Sequence, residues 1–479
     1  MNENMKKNDA VTRQEDDFAQ WYTDVCLKAQ LMNYSSVKGF INYLPYGYAI
    51  WENIQNFANE KFKAKGAENV YLPLVIPQSL FAKEKEHVEG FAPECLVATI
   101  GGAKDLADPL VIRPTSEVLF SDLYRNIVSS YRDLPKKFNQ WCSVVRWEKT
   151  TRPFLRGSEF LWQEGHCLFE TEQEAENDAL EMLDVYDSIG RDLLAIPFVK
   201  GKKTEHEKFA GAVNTYSIEA LMPDGKALQS GTTHYLGTGF AKAANIQFLG
   251  REQKLETPHQ TSWGVSTRLI GAMIMTHGDD NGLVIPPRVA PIQVVLIPIR
   301  GDKVPAVIDE LKKIKEELSK LGVRVKLDDS DKTPGWKFAE WEMKGVPLRL
   351  ELGPRDLENQ TISLAKRYNG EKLVFQLSDI AKIPELLEQI QEEMYQKAKK
   401  YVENHITEVH SWDELKAVLD KGGYAKMMWK ENEALELEIK EKTGGGTARC
   451  YPFDEKPFGD TCPLTGEKAD SVIYFAKAY

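Results

Sequence analysis

Between residues 47 and 65 the apolar positions Ile50, Ile54, Phe57, Ala58 and Phe62 recur at the three- and four-residue spacing of one helix face, and Gly66 closes the run. A different rhythm follows. Short apolar stretches at 70–73, 110–113, 138–148, 160–169 and 215–221 read as strands, and 161–169 alternates in part, as in an antiparallel sheet covered on one face. A helical stretch at 172–194 separates the 138–169 hairpin from the later strands, and Pro286-Pro287 after an apolar run marks a boundary. From Ile292 the rhythm changes again. The continuous apolar run 292–299 predicts a buried parallel strand, and helices at 304–321, 333–344 and 384–404 alternate with strands at 323–327, 346–352 and 361–366. Pro384 takes a first helical position, where no N–H is needed. This alternation predicts a small α/β domain with a mainly parallel sheet. A compact α+β tail ends in the apolar strand 472–476. The predicted fold is α/β and multidomain, divided at 1–287, 288–404 and 405–479.

Composition changes this picture little. With 42% hydrophobic and 28% charged residues among 479, the chain is an ordinary globular sequence of two to four domains. No apolar run approaches the ~20 residues that span a bilayer, and the polar start lacks a signal-peptide core, so a cytoplasmic location without a membrane is expected. Six scattered cysteines fit reduced thiols. The net charge of -11 excludes a coating of nucleic acid but not a grip on RNA through a few basic patches.

Candidate chemistry concentrates in three places. Arg146-Trp147-Glu148 puts an arginine and a carboxylate on one face of a strand; a basic loop with Arg152 and Arg156 follows. The second strand then brings Trp162, Glu164 and His166 to one face, although Trp162 reads equally well as core. Arg113-Pro-Thr-Ser-Glu117 supplies hydroxyls and a carboxylate suited to an amino group; a plain helix cap, Ser or Thr with an acid in the first turn, is the competing reading of Thr115 and Glu117. The segment 229–234, with Gln229, Thr232 and His234, reads as a polar, glycine-broken turn. Thr261–Arg268 runs from a strand into an apolar helix. An arginine at a helix start opposes the usual preference for negative charge there, and it makes sense if a polyphosphate is held by Arg268 and free N–H groups. The usual nucleotide signatures fail. There is no GxxxxGK[ST], Gly237-Thr-Gly239 has Lys242 where a dinucleotide loop needs glycine or alanine, and no HExxH or paired CxxC points to a catalytic metal.

Together these segments resemble the class II aminoacyl-tRNA synthetases, and closely the prolyl-tRNA synthetases of archaeal and eukaryotic type. The likeness covers nearly the whole chain: the helix and strand of 47–73, Arg146–Glu148, Trp263–Arg268, and the strings Arg113-Pro-Thr-Ser-Glu117, Pro153-Phe-Leu-Arg156, Phe160-Leu-Trp-Gln-Glu-Gly-His166, Lys208-Phe-Ala-Gly211 and Gly345–Gly353. It implies an antiparallel catalytic domain, an anticodon-binding α/β domain and a C-terminal α+β domain. It also implies ATP-dependent attachment of L-proline to tRNA(Pro) through prolyl-adenylate, with Arg146 and Arg268 catalytic. Thr115, Glu117, Arg146, Trp162, Glu164, His166, Phe209 and His234 would bind proline. Arg146, Glu148, Arg156, Gln229, Thr232, Ser266 and Arg268 would bind ATP, with Mg2+ on the phosphates. Lys337, Glu340, Arg349, Glu351 and Arg355 are candidates for the anticodon, and solvated or structural charges are equally good readings of these five. A homodimer is implied, and Tyr479 resembles the terminal tyrosine of relatives, a likeness suggesting that it reaches the catalytic domain.

Two departures stand out. Of four zinc cysteines found in many relatives, 427–435 contains none and only Cys462 of the second pair remains, with Thr465 at its partner's place, so no structural zinc is expected. The ~100 residues between the hairpin and the third signature also leave no room for the large editing insertion of the bacterial type. Two competing readings are a threonyl-type synthetase, which a buried zinc ligand set would favour, and a catalytically silent paralogue, which loss of Arg146, Glu148 or Arg268 would favour.

Overall fold

The computed structural model describes residues 11–87 and 94–479, leaving aside the side chains of 83–87. Its centre is an antiparallel sheet in which Lys136–Val145, Glu159–Phe169, His259–Ser266, Ala227–Gly237, Asn214–Leu221 and Val199–Lys202 follow one another in space. Register then decides which side chains meet. Thr215 pairs with His234, His234 with Ser262, and Ser262 with His166, so four polar residues from four strands form one row. The next row on the same face runs Thr232, Gly264, Glu164, Gln140. Alternation sends Gln163, Thr261 and Trp263 to the opposite face. There the helix Glu172–Ser188 covers them: Tyr186 donates to Gln163 Oε1 at 2.8 Å and Thr261 to Asp178 Oδ2 at 2.7 Å. Trp263 also meets Phe62 of the helix Pro45–Ala64, with ring centroids 4.9 Å apart. One face of the sheet is core, and the other is free to carry chemistry.

The anticipated elements are present, with corrections at their ends. The 47–65 helix is Pro45–Ala64 and buries Ile50, Ile54, Ala58 and Phe62. The 172–194 helix stops at Ser188 and continues as a π turn, Ile189–Leu194. The strand expected at 70–73 is displaced: the pairing segments are Glu68–Asn69 and Val75–Pro77. The second domain's sheet runs Val325–Leu327, Val294–Pro298, Leu348–Leu352, Thr361–Lys366, Lys372–Gln376. Its first three strands are parallel as expected, and its last two join antiparallel. The hairpin 361–376 needs only a short turn, whereas a further parallel strand would need a crossover helix.

The tail builds its own core around Met427, Trp429, Ile439, Ile473 and Phe475, yet its sheet is not separate. Tyr451 and Pro452 pair with Lys202 and Gly201, extending the catalytic sheet to eleven strands. At that seam Glu219, fully buried, takes Lys203 at 2.7 Å and Arg449 of the tail at 3.0 Å. The terminal Tyr479 docks back as well: its N–H donates to Ala227 O at 3.1 Å and its hydroxyl to Asp224 Oδ2 at 2.8 Å. No helix among the described residues is long and apolar enough to cross a membrane.

Candidate active site

The free face of the sheet floors a cavity of ≈ 820 Å³. Thr115, Glu117, Arg146, Glu148, Arg156, Trp162, Glu164, His166, Phe209, Gln229, Thr232 and His234 all line it, so segments more than a hundred residues apart in sequence converge as expected. Trp162 is a wall of this cavity rather than core, with the Arg146 guanidinium 5.3 Å over its ring.

At one end the polar row is tightly wired. Glu164 Oε2 lies 2.9 Å from His166 Nε2 and accepts from Ser116 N–H at 3.1 Å, while Oε1 accepts from Gln140 Nε2 at 3.1 Å and from the Ser116 hydroxyl at 2.5 Å. Burial pushes the Glu164 carboxyl up, but His166, Ser116 and Gln140 outweigh it and hold the group below its usual range. Ser116 is thus spent on Glu164 and makes no side-chain cap for the helix Glu117–Ile127. The simple helix-cap reading does not describe this segment, since Thr115 donates to Glu117 inside the cavity. His234 Nδ1 lies 2.9 Å from Thr215 Oγ1 and its ring 4.7 Å from that of Phe209. Burial, helped by His166, lowers its pKa to about 3, so this imidazole is neutral at physiological pH.

The other end is cationic. Arg146 is pinned through Nε to Pro114 O at 3.0 Å and makes no ion pair among the described residues. Burial lowers its pKa, although Glu117, Glu164 and Glu148 oppose that. Arg268 begins the helix Arg268–His277; its Nε donates to Leu155 O at 3.1 Å and its Nη1 to Gln229 O at 3.0 Å, both neutral acceptors. Burial first, then Arg156 and Arg146, brings it down to about 10. Arg156 stands 3.6 Å from Glu148 at the rim. Two half-buried guanidiniums with no ion-pair partner among the described residues, joined by a third at the rim, create a demand for an anion.

Several expectations are corrected. Arg146 and Glu148 do not lie on a strand face: the strand ends at Val145, and Glu148 N–H turns back onto Arg146 O at 2.8 Å. The supposed turn at 229–234 lies inside the strand Ala227–Gly237. Ser230 is the bulged residue there, and a Cβ on its neighbour Gly231 would sit 2.7 Å from Val265 Cγ1. Ser266 does not line the cavity; its hydroxyl accepts from Arg268 N–H at 3.1 Å and fixes the helix start. Arg268 does not line the cavity itself; it stands beside it, held on Leu155 O and on the backbone oxygen of the lining residue Gln229. The sequence reading passed over Glu94, Lys149, Glu207, Ser262 and Gly264, which complete the wall. Glycine was the available signal: a Cβ at Gly264 would press on Gln163 O at 3.1 Å, and one at Gly165 would strike the Trp263 indole at 2.2 Å.

The second domain has a smaller groove of ≈ 160 Å³, lined by Glu342, Arg349, Lys366, Arg367 and Lys372 among others. Of the five anticodon candidates only Arg349 reaches it, paired to Glu351 at 2.8 Å with its guanidinium 4.1 Å over the Phe338 ring. Lys337 is corrected outright: it is buried, donates to Asp328 O at 2.8 Å, and is a structural lysine. Glu340 is engaged by Lys332 and Lys344, and Arg355 is exposed outside the groove.

Comparison with known proteins agrees with this geometry. Residues 99–277 match the "tRNA synthetase class II core domain (G, H, P, S and T)", 293–390 the "Anticodon binding domain", and 412–479 "Prolyl-tRNA synthetase, C-terminal". The chain is 54% identical over 473 residues to a proline–tRNA ligase of Lachnoclostridium phytofermentans, covering 98% of both. It is 53% identical over 479 residues to one of Onion yellows phytoplasma, covering 99% of both. Among solved structures it superposes with TM-score 0.95 and 41% identity on a prolyl-tRNA synthetase of Cryptosporidium parvum complexed with halofuginone and AMPPNP, covering 98% of this chain and 100% of that one. The chain belongs to the class II prolyl-tRNA synthetases, the proline–tRNA ligases.

Proposed function

We propose that the cationic end of the cavity binds the ATP phosphates and the His166–His234 end binds proline, so that Arg146 lies between the two reacting groups. The activity itself is ligation of L-proline to tRNA(Pro): the carboxylate attacks the α-phosphate of ATP, pyrophosphate leaves, and the prolyl-adenylate passes proline to the tRNA. The observation that carries the division of roles is the pair of half-buried arginines with no ion-pair partner among the described residues. Arg146 neutralises the attacking carboxylate and the α-phosphate in turn, and Arg156 and Arg268 offset the leaving charge. Thr115 and Glu117 receive the proline nitrogen, and Phe209, Trp162 and the neutral His234 wall its ring. Glu164 and His166 hold this wall rather than the substrate, because the Glu164 oxygens are occupied by Ser116, Gln140 and His166. Glu148, Gln229 and Thr232 take the nucleoside side.

Among the described residues no group of three His, Cys, Asp or Glu is placed to hold a metal. That suits Mg2+ carried chiefly by the triphosphate, where it screens phosphate charge. We read the tail as zinc-free, because Cys462 is buried in an apolar core that needs no metal to close. Stoichiometric zinc by X-ray fluorescence contradicts that reading. In the second domain Arg349, Glu342 and Lys372, with Phe338 behind, are proposed to meet the anticodon bases. A cytoplasmic homodimer of archaeal and eukaryotic type completes the proposal, supported by exposed Tyr34, Val37, Tyr48, Tyr71 and Leu74 on and around the first helix and strand of the signature. Amino-acid-dependent ATP–pyrophosphate exchange across all amino acids tests the reading of the cavity: proline alone gives full exchange, and threonine-dependent or absent exchange overturns it.

A further inference from the structure

Phe209, Glu207 and Ala210 belong to a segment without regular structure, 203–213, between the strands Val199–Lys202 and Asn214–Leu221. Within the catalytic domain this segment has support at its far end, where Phe209 N–H donates to Thr215 Oγ1 at 3.0 Å. At its near end Lys203 is held within the catalytic domain by Thr215 O at 2.8 Å and Glu219 at 2.7 Å, and the next residues rest on the tail. Thr204 donates to Glu436 Oε2 at 3.0 Å, Glu205 N–H to Glu431 Oε1 at 3.1 Å, and His206 Nδ1 lies 3.3 Å from Glu433 Oε1. The Thr204 oxygen accepts in turn from Glu207 N–H at 3.2 Å. Two hydrogen bonds in series therefore run from a side chain of the C-terminal domain to a residue lining the cavity. The same tail helix, Glu433–Lys442, holds Glu436 almost wholly buried, 3% exposed, and its Oε1 has no hydrogen-bond partner among the described residues.

We propose that Glu436 is a positioning residue for proline activation: through Thr204 it fixes the 204–209 segment on the C-terminal domain and thereby sets the wall that Phe209 presents to proline. The proposal rests on the reading of Phe209 as part of the proline pocket. It explains why the tail is stitched to the catalytic sheet beside this segment, through Tyr451–Lys202 pairing and the buried Lys203–Glu219–Arg449 cluster. The Thr204 hydrogen bond favours an ionised Glu436, but burial and the carboxylates around it outweigh that bond, so ionisation works against this dock. Glu431 and Glu433 approach from the tail and Glu205 and Glu207 from the segment; His206 lies beside Glu433, and the cations nearby are engaged elsewhere, Lys208 with Glu205 and Arg449 with Glu219. Tyr451 faces the same cluster and donates to Glu431. Burial, with Glu431, Glu207 and Glu433 adding to it, pushes the Glu436 carboxyl up to about 8.

The test uses the full-length enzyme in ATP–pyrophosphate exchange, with KM for proline and for ATP measured from pH 6.5 to 9. Glu436→Ala and Thr204→Val should raise KM for proline about tenfold and leave KM for ATP and kcat near wild type. Glu436→Gln, neutral at every pH and of the same shape, should restore the wild-type KM and remove the rise in proline KM that wild type shows above pH 8. Phe209→Ala is the control for the underlying reading. If it leaves proline KM unchanged, the pocket assignment fails. If it raises KM while Glu436→Ala and Thr204→Val do not, the dock alone is overturned. Identical pH profiles for wild type and Glu436→Gln also overturn it.

Discussion

Arg268, at the start of its helix, donates through Nη1 to the backbone oxygen of Gln229 on a neighbouring strand at 3.0 Å. The contact fixes the guanidinium without neutralising it. The same holds for Arg146 on Pro114 O at 3.0 Å. Rigid positive charge held on neutral acceptors, with no ion-pair partner among the described residues, is poised for a transition state in which negative charge builds on phosphate.

Arg146→Ala should therefore lower proline-dependent pyrophosphate exchange at least roughly a hundredfold, on the scale of losing one oxyanion donor. Near-normal exchange in that variant would sink the assignment.

His234 and His277 titrate far below the ordinary histidine value, at about 3 and about 4, both because burial disfavours the charged ring. The unfolded chain, with histidines near ~6.5, binds more protons than the native one in the window between. Stability is then full above roughly pH 6.5 and falls as pH drops towards 4. Thermal melting across that range should show the decline, and His277→Gln, outside the cavity, should make it shallower. Superimposable slopes for the two proteins would refute the linkage.

Among the described residues Glu219 is the one carboxylate that pairs with both Lys203 and Arg449, at 2.7 and 3.0 Å. Burial raises its pKa, but Arg449 and Lys203 outweigh this and keep it low. Glu219→Gln strands two buried cations and should cost on the order of 3–5 kcal/mol in urea unfolding. A loss below ~1 kcal/mol would mean that water already screens the seam.

Arg349→Ala should raise KM for tRNA without changing pyrophosphate exchange, since the groove belongs to the second domain. Lys337→Met, by contrast, should lower the melting temperature and spare tRNA affinity, because Lys337 serves Asp328. An equal effect of both variants on tRNA would contradict this separation.

Alanine should be activated measurably. A pocket shaped for proline loses only about 1–3 kcal/mol per missing methylene. Complete absence of alanine-dependent exchange would require an excluding group that the cavity wall does not contain.

Much of the site could be read because its residues sit at strand periodicity. Trp162, Glu164 and His166 share a face whatever the neighbours are, and the strand Glu159–Phe169 bears this out. Misreadings came where a local rule met a tertiary partner. Gly231 looks like a turn residue, yet it is a strand glycine made necessary by Val265. Lys337 looks like an RNA contact on a charged helix, but it is buried against Asp328. Ser116 looks like a helix cap, and Glu164, forty-eight residues away, claims it.

Sequence alone determined most of the helices, the hairpin of the catalytic sheet, the residue types of the active centre and the kinship that joins them, because periodicity and motif spacing are local properties of the chain. Tertiary structure decided register, and register decided function. Only pairing Thr215 with His234, Ser262 and His166 makes one row of four strands, and only the fold seats Arg146 on Pro114 O and Arg268 on Leu155 O and Gln229 O. It also decided that the tail is an extension of the catalytic sheet, since edge strands pair with whatever backbone lies beside them, and no pattern within 446–452 names that neighbour.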